Sequence, residues 1–319
     1  METRKIGSLD VSVVGIGSDN FGGRIDEEKT REVLFAAMDV GINFFDTADV
    51  YPVVPEGCST KSEEFMGRAF KGRRDEVIIA TKFGLPFDEQ HLGGARPEYA
   101  RQACEDSLSR LQTDHIDLYY LHEPDPATPI ADTLGALAGL VEAGKVIEIG
   151  CSNFSVEQLR EAKGALQLGQ PGFVAVQNEF SLLNREAEFD VIPECEATGL
   201  AFLPYFPLYN GLLAGGYRRG LPWPADSRFT EASEERKASV VSDMNLDIIE
   251  RLAEFAESRG RTILDVAFAR LLAHPCLASV IAGAVSADQV RANVKTAAWK
   301  LSADEIAEVD RIAPGLAVA

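Results

Sequence analysis

Eight short apolar runs, each followed by a stretch with helical periodicity, constrain the fold of this chain more than any other feature of its sequence. They cover residues 13–17, 42–46, 77–82, 116–122, 146–152, 173–177, 200–205 and 277–283. Near-continuous apolar strands that alternate with helices are typical of a parallel sheet covered by helices. Eight such units within 319 residues favour an α/β fold of the closed (β/α)₈ TIM-barrel type over an open doubly wound sheet.

The helices between the strands carry recognisable end signals. Three segments fit the S-x-x-E/Q capping box and predict helix N-termini: Ser155 with Gln158, Ser286 with Gln289, and Ser302 with Glu305. Thr128 before Pro129 is the pattern of an N-cap followed by proline at the first helical position. Gly41 and Gly144 lie where a glycine commonly ends a helix.

The segment from about Tyr209 to Asn245 interrupts this alternation. It contains two adjacent glycines, two prolines and a charged patch, without sustained periodicity, and it is far longer than an ordinary connection. Because it follows the seventh strand, it would lie over the C-terminal face of a barrel, where catalytic loops are found. We predict that it covers a cofactor or substrate, and a disordered surface insertion is the alternative. No second domain is evident, so residues 1–319 are expected to form a single barrel domain.

The charge balance excludes several classes of partner. The chain has 31 Lys and Arg against 50 Asp and Glu, a net charge of −19, so its field repels nucleic-acid phosphates and anionic lipid. The N-terminus lacks the apolar stretch of a signal peptide, and no apolar run reaches the roughly 18 residues of a membrane span. We therefore expect a cytoplasmic protein that binds neither nucleic acid nor membrane, while homo-oligomerisation stays open.

The cysteines are scattered and form no C-x-x-C pair, which argues against a redox pair or a zinc site. They are Cys58, Cys104, Cys151, Cys195 and Cys276. We interpret them as mostly buried thiols and predict no metal site.

Ionisable side chains follow three consecutive apolar runs at the points where the strands should end. Asp46, Lys82 and His122 hold these positions. In a parallel barrel these ends converge on one rim, and burying such charges is costly unless they are paired. Tyr51 lies in a loop able to fold back over the same rim. The four residues make a candidate proton-transfer site, and a barrel-mouth ion pair with a strand-capping histidine is the structural alternative.

Elementary acid–base chemistry assigns roles to these four residues. A tyrosine with a pKa of about 10 is a weak acid at neutral pH, but an adjacent ammonium stabilises its phenolate and lowers that pKa. Lys82 would supply this charge to Tyr51, and Asp46 would hold Lys82 in place. A neutral His122 would donate a hydrogen bond to a carbonyl oxygen that gains negative charge. Such a site moves protons but supplies no electrons, so a redox reaction would need a cofactor.

Several segments resemble the signature of the aldo-keto reductase superfamily. They are Gly41-Ile-Asn-Phe-Phe-Asp-Thr-Ala-Asp-Val-Tyr51, Ala80-Thr-Lys82, Asp117-Leu-Tyr-Tyr-Leu-His122, Gly150-Cys-Ser-Asn-Phe154 and Gln177. The resemblance runs in order from about residue 5 to residue 301. It implies a (β/α)₈ barrel, with an N-terminal β-hairpin, that binds a nicotinamide cofactor without a Rossmann fold. It also implies that Asp46, Tyr51, Lys82 and His122 are the catalytic tetrad, with Tyr51 as the proton donor.

The resemblance further implies a set of cofactor contacts. Ser152, Asn153 and Gln177 match the groups that hold the nicotinamide carboxamide, and Tyr205 matches the aromatic ring that stacks on it. The pyrophosphate would meet Leu208, Gly211 and Leu212, the adenosine end would meet Ser286, Gln289 and Asn293, and the set is completed by Gly17, Ser18, Phe206 and Gly283. For Ser286 and Gln289, capping of their own helix is the simpler alternative.

Two departures from the family pattern concern the cofactor. Phe206 replaces a serine that many relatives place after the stacking tyrosine, and residues 283–285 lack the Lys or Arg that many relatives use to hold a 2′-phosphate. Arg291 is the nearest basic residue in sequence. We expect NADPH as the cofactor, with NADH as the alternative. Candidates for lining a substrate pocket are Phe21, Phe87, Glu123 and Trp223, for which packing or an exposed loop is the alternative.

These observations predict an NADPH-dependent oxidoreductase that reduces an aldehyde or ketone to an alcohol, reversibly, with Tyr51 as general acid. One alternative is a cofactor-binding regulatory subunit, similar to potassium-channel β subunits, with slow turnover. Another is cofactor-free isomerase or lyase chemistry on the same barrel, since a fold alone does not fix function. The identity of the carbonyl substrate stays open.

Overall fold

The computed structural model describes residues 1–54, 57–87, 91–224 and 240–315, together with residues 229, 233, 235 and 237. Its strands are β1 (Thr3–Ile6), β2 (Leu9–Ser12), β3 (Val14–Gly17), β4 (Phe44–Asp46), β5 (Val53–Val54), β6 (Gly57–Cys58), β7 (Ile78–Phe83), β8 (Ile116–Leu121), β9 (Val146–Ser152), β10 (Ala175–Glu179), β11 (Ala201–Tyr205) and β12 (Val280–Gly283). Strands β11, β10, β9, β8, β7, β4, β3 and β12 form one sheet in that order. Each of the eight predicted apolar runs overlaps one of these strands.

Hydrogen bonds between β11 and the segment before β12 close this sheet into a barrel. The Phe202 amide donates to the carbonyl oxygen of Cys276 (2.8 Å), and the Ala278 amide donates to the carbonyl oxygen of Phe202 (3.0 Å). The strands within the sheet pair in parallel. The predicted closed (β/α)₈ barrel is therefore confirmed.

Helices connect the strands and cover the outside of the barrel. They are α1 (Glu27–Asp39), α2 (Lys61–Ala69), α3 (Pro97–Leu111), α4 (Ile130–Glu142), α5 (Val156–Gly164), α6 (Val191–Thr198), α7 (Asp243–Glu257), α8 (Ile263–Leu272), α9 (Ala287–Thr296) and α10 (Ala303–Ile312). Short 3₁₀ turns lie at Arg74–Glu76, Glu186–Glu188 and Tyr209–Ala214. The apolar faces of these helices and the outer faces of the strands share one large buried cluster, whose removal from water stabilises the barrel.

The N-terminal hairpin β1–β2 seals the bottom of the barrel, where the strands begin. Ile6, Leu9 and Val11 are buried against inward-facing barrel residues such as Leu118. The Arg4 guanidinium donates to the carbonyl oxygens of Leu272 (2.9 Å), His274 (3.0 Å) and Leu277 (2.6 Å), in the segment before β12. Because this end is closed, a ligand site must open at the other end of the barrel.

Two of the predicted capping boxes form completely. The hydroxyl oxygens of Ser155 and Ser302 each accept a hydrogen bond from the backbone amide three positions later, and the side-chain oxygens of Gln158 and Glu305 accept one from the backbone amides of Ser155 and Ser302. At α9 only half of the box forms, because the Gln289 side chain accepts instead from the Val285 amide (2.8 Å).

The predicted N-cap at Thr128 is wrong. Helix α4 begins at Ile130, and Pro129 occupies the cap position without a side-chain cap. The Thr128 hydroxyl donates instead to Asp125 Oδ2 (2.8 Å), because Asp125 organises the preceding turn. Gly41 (φ 86°) and Gly144 (φ 71°) adopt left-handed conformations just after α1 and α4, as expected for residues that end a helix.

The described parts of the long connection after β11 begin and end with ordered elements. Its first part is the 3₁₀ turn from Tyr209 to Ala214, in which Asn210 and Gly211 have left-handed conformations. Helix α7 begins at Asp243, after the N-cap Ser242. Most of residues 225–239, in the middle of the predicted 209–245 loop, lies outside the described residues.

In the part of the chain that the structure describes, no helix has both the length and the apolar character needed to cross a membrane. The same residues contain no group of His, Cys, Asp and Glu side chains arranged to hold a metal ion. Cys104, Cys151 and Cys195 are buried free thiols, whereas Cys58 and Cys276 are partly exposed.

Gly67→Ala should destabilise the protein by about 1–3 kcal/mol, the usual cost of overpacking a core. A methyl group at Gly67 would lie 2.4 Å from the carbonyl oxygen of Arg110, a backbone atom of α3. Urea unfolding measures the effect. Gly139→Ala in α4 is the control, because nothing lies within 4 Å of its added methyl, and alanine in a helix should stabilise by about 0.5–1 kcal/mol. Equal stability of Gly67→Ala and wild type would contradict the close approach of the two helices.

Candidate active site

The strand-end residues Asp46, Lys82 and His122 meet with Tyr51 at the top of the barrel. The Lys82 ammonium donates to Asp46 Oδ1 (2.5 Å) and to the carbonyl oxygen of Thr47 (2.7 Å). Lys82 Nζ lies 5.0 Å from the centre of the Tyr51 ring, and the rings of Tyr51 and His122 meet edge to face with centres 5.8 Å apart. The structure thus brings together all four residues that the sequence places at or near strand ends.

The Asp46–Lys82 pair is buried inside the barrel. Lys82 has no exposed surface and Asp46 is 3% exposed. Burying an unpaired charge is very unfavourable, but each oxygen of Asp46 has a partner here, because Gln177 Nε2 donates to Oδ2 (2.8 Å). The ammonium is therefore fixed in one position by Asp46 and cannot swing away.

His122 is neutral at neutral pH. Burial lowers its pKa well below the ordinary value of 6.5, and the nearby charge of Lys82 lowers it further. Its Nδ1 atom is buried and has no hydrogen-bond partner. His122 lines the cavity described below, so its neutral ring is available to a polar ligand atom there.

Tyr51 keeps its proton at neutral pH. Burial raises its pKa well above 10, and the negative charges of Asp46 and Asp19 add to this. The expected lowering of the pKa of Tyr51 by Lys82 is not seen in this structure, because burial of the phenol outweighs any stabilisation of the phenolate. The phenol is present as a proton donor and not as a phenolate.

A second cluster of polar side chains lies beside the Asp46, Tyr51, Lys82 and His122 cluster. Its hydrogen bonds join the ends of strands β8, β9, β10 and β11. Asn153, in a left-handed conformation (φ 62°) that asparagine tolerates, donates through Nδ2 to the carbonyl oxygen of His122 (3.0 Å) and to Ser152 Oγ (3.2 Å). The Tyr205 hydroxyl donates to Asn153 Oδ1 (2.8 Å), and Ser152 Oγ donates to the carbonyl oxygen of Gln177 (2.7 Å). These bonds fix the side chains in one orientation toward the cavity.

The two polar groups share the wall of one cavity of about 830 Å³, a volume typical of small-molecule sites. Predicted residues that line it are Gly17, Ser18, Asp46, Tyr51, His122, Glu123, Ser152, Asn153, Gln177, Tyr205, Phe206, Leu208, Gly211, Gly283, Gln289 and Asn293. The wall thus continues from Tyr51 to Asn293 on α9, which makes room for an extended ligand.

Several predicted residues lie elsewhere. Phe21 and Leu212 have no exposed surface and belong to the core. Phe87 stacks on His91 with ring centres 4.2 Å apart, and Trp223 packs against Tyr217. Phe21 is held in the core and Phe87 is stacked on His91, so neither ring belongs to the cavity wall, and the exposed Trp223 is likewise absent from it.

Ser286 and Arg291 are also absent from the described cavity wall. The Ser286 hydroxyl accepts from the Gln289 amide (3.3 Å) and so caps α9. The exposed Arg291 guanidinium donates to Asp288 Oδ1 (2.9 Å), within the same helix. Among the described residues of the wall, Arg24 is the only lysine or arginine.

Part of the wall consists of residues that were not predicted from the sequence. These residues are Asp19, Asn20, Arg24, Val53, Pro207, Asn210, Ala214, Gly216, Tyr217, Pro224, Leu264, Ile281, Ala282, Ala284, Val285 and Ala292. Asp19 and Asn20 follow β3 directly, so the strand-end rule would have found them. Tyr217 belongs to the long connection, which was predicted to cover a cofactor or substrate although this residue was not singled out, and Leu264 belongs to α8, where no local pattern points to the cavity.

Comparison with known proteins agrees with this architecture. The model of the Aldo/keto reductase family matches residues 13–314, so the chain belongs to the aldo/keto reductase family of oxidoreductases. It is 32% identical over 314 residues to "Probable aldo-keto reductase 1" of Glycine max, covering 96% of this chain and 86% of the relative.

Two further relatives differ in the functions that their names state. The chain is 31% identical over 305 residues to "Probable voltage-gated potassium channel subunit beta" of Arabidopsis thaliana, covering 92% of this chain and 90% of that protein. The solved structure of a glycerol dehydrogenase from Gluconobacter oxydans superposes with a TM-score of 0.82 at 28% identity, covering 98% of this chain and 94% of that one.

Proposed function

We propose that this protein is an NADPH-dependent reductase of aldehydes or ketones that also works in the alcohol-oxidising direction. The observation that carries the proposal is the meeting of Tyr51, His122 and the buried Asp46–Lys82 pair at one end of an elongated cavity. The opposite end of the cavity reaches Gln289 and Asn293 on α9. This places proton-donating groups beside space for a long ligand.

The residues of the cavity fit a nicotinamide dinucleotide. Ser152, Asn153 and Gln177 present amide and hydroxyl groups for a carboxamide, and the Tyr205 ring offers a flat surface for stacking. Gly211 (φ 94°) has open space where a side chain would be, so its backbone can be approached closely. Gln289 and Asn293 would hold the adenosine end. When bound, this cofactor supplies the hydride of the reaction.

The chain's own residues would supply the proton and the orientation. Tyr51, whose phenol stays protonated, would donate its proton to the carbonyl oxygen as that oxygen gains negative charge. His122, neutral and lining the cavity, would donate a hydrogen bond from its ring to the same oxygen. Lys82 and Asp46 would keep a fixed positive charge beside the phenol, which favours proton release in the transition state.

Purified protein mixed with NADPH and a panel of aldehydes and ketones tests the proposal. We expect NADPH oxidation, followed by its absorbance, with at least one carbonyl compound. Absence of turnover with every member would overturn the proposed activity. NADPH binding, measured by fluorescence quenching, separates a reductase from a cofactor-free isomerase or lyase, because only the former binds the nicotinamide.

The likeness to a potassium channel β subunit favours a second candidate, a regulatory subunit that binds the cofactor and turns over slowly. The same cavity would then serve as a cofactor sensor. Copurification with a membrane channel together with negligible turnover would support this candidate, whereas rapid turnover without a partner would oppose it.

Arg291→Ala should leave the ratio of NADPH to NADH affinities within about twofold of the wild-type ratio. Its guanidinium is exposed, pairs with Asp288 and is not part of the cavity wall. Fluorescence titration with both cofactors measures the ratio. A tenfold or larger loss of NADPH preference would instead place the 2′-phosphate on Arg291.

A further inference from the structure

We propose that Glu123 selects the carbonyl substrate by charge. The site accepts neutral and cationic aldehydes or ketones and discriminates against those that carry a carboxylate or phosphate. This inference rests on the proposed function and extends it to the substrate class.

Glu123 brings an unneutralised carboxylate to the catalytic end of the cavity. It directly follows His122, it lines the cavity, and it is exposed. Among the residues that the structure describes, no hydrogen bond or ion pair engages its side chain. The carboxylate therefore keeps its full charge toward whatever binds beside His122.

The charge of Glu123 acts on Tyr205 inside the site. Burial, then the charges of Glu179 and Glu123, raise the pKa of Tyr205 to about 12. Tyr205 is bonded to Asn153, and Asn153 is bonded to the backbone of His122. Glu123 thus lies close to the group that would orient the carbonyl oxygen, because it directly follows His122 and its charge acts on Tyr205.

The other residues in the described part of the wall do not offset this charge. The Lys82 ammonium is buried and held by Asp46 and the carbonyl oxygen of Thr47. Arg24 is the only cation in the described part of the wall, which also contains Asp19. The exposed side chains of Val53 and Phe206 line the same cavity and offer apolar surface to an uncharged substrate.

Three para-substituted benzaldehydes of similar size test the inference: 4-carboxybenzaldehyde, 4-formylbenzamide and (4-formylphenyl)trimethylammonium. Wild-type kcat/KM should be lowest for the carboxylate. Glu123→Gln should raise kcat/KM for the carboxylate relative to the amide by about tenfold, equivalent to 1.4 kcal/mol, and should lower it for the trimethylammonium compound. A structural defect would change all three in the same direction.

Glu142→Gln is the matched control, because it removes the same charge from the exposed end of α4 at the opposite face of the barrel. It should leave the relative kcat/KM values for the three aldehydes unchanged.

High salt should weaken the wild-type discrimination between the carboxylate and the amide and leave that of Glu123→Gln unaffected. Equal kcat/KM for carboxylate and amide in wild type would overturn the inference, as would unaltered ratios in Glu123→Gln or a carboxylate preference that Arg24→Ala abolishes. These outcomes leave the reductase proposal standing, whereas absence of turnover with all three aldehydes and with the wider carbonyl panel overturns both.

Discussion

Tyr51→Phe is expected to lower kcat for aldehyde reduction by about 10²- to 10⁴-fold, the range that a general acid contributes. The substitution removes only the phenolic oxygen and keeps the ring beside His122. In the wild type, burial holds the pKa of Tyr51 well above 10, so the proton is present throughout the neutral range. The variant has no proton to give to the carbonyl oxygen.

Steady-state kinetics and an NADPH titration together check this prediction. The affinity for NADPH should stay within about twofold, because the amide and hydroxyl groups around Asn153 are untouched. Tyr99→Phe in α3 removes the same oxygen outside the barrel and should keep wild-type kcat. If kcat of Tyr51→Phe fell by less than about threefold, Tyr51 would not be the proton donor.

Glu188→Gln is expected to lower the free energy of unfolding by about 3 kcal/mol, the lower end of the range for breaking a buried ion pair. Glu188 accepts from Arg185 Nε (2.5 Å) and also from Arg270, and both arginines reach Asp310 Oδ1 (2.8 Å). The two arginine side chains are 6% and 4% exposed. In the variant, the two buried guanidinium groups share the single carboxylate of Asp310. Water cannot replace the lost negative charge, because the arginines are buried.

The contribution of Glu188 also depends on pH. Burial alone would raise its pKa, but hydrogen bonds from His274 and Arg185 and the charge of Arg270 outweigh burial and hold the pKa below its ordinary value of 4.5. A depressed carboxylate pKa gives stability that is complete above the ordinary value and is lost as the pH falls through the folded-state value. The stability difference between wild type and Glu188→Gln should therefore shrink in strong acid.

Urea unfolding at neutral and acidic pH measures both effects. Glu76→Gln is the control, because Glu76 pairs with Arg73 on the surface, where loss of an ion pair costs about 0–1 kcal/mol. A Glu188→Gln protein that is as stable as Glu76→Gln would show that the cluster does not hold the outer helices together.

The alternation of apolar runs and helical stretches was sufficient to predict the barrel, because each strand is defined by neighbouring residues. The rule that parallel strand ends converge was sufficient to predict the meeting of Asp46, Lys82 and His122. The positions of Phe21 and Phe87 were not predictable in this way, since the packing partners that hold these rings away from the cavity are set by the tertiary fold. The protonated state of Tyr51 likewise depends on burial, which no local pattern reveals.

The ionic cluster around Glu188 was even less predictable from the sequence. Arg185, Arg270 and Asp310 are separated by 85 and 40 residues in the chain, and each alone looks like an ordinary surface charge. Only the packing of α8 and α10 against the turn at Glu186–Glu188 buries them together. Long-range ionic networks of this kind leave no signal in a single sequence.

The attachment of Arg4 has a consequence for how the chain acquires its shape during translation. The partners of Arg4 are the carbonyl oxygens of residues about 270 positions later. The first hairpin emerges from the ribosome early, yet it cannot dock until α8 has been synthesised. Contacts of such long sequence separation form slowly, so we expect the apolar floor of the nascent barrel to be covered late in folding.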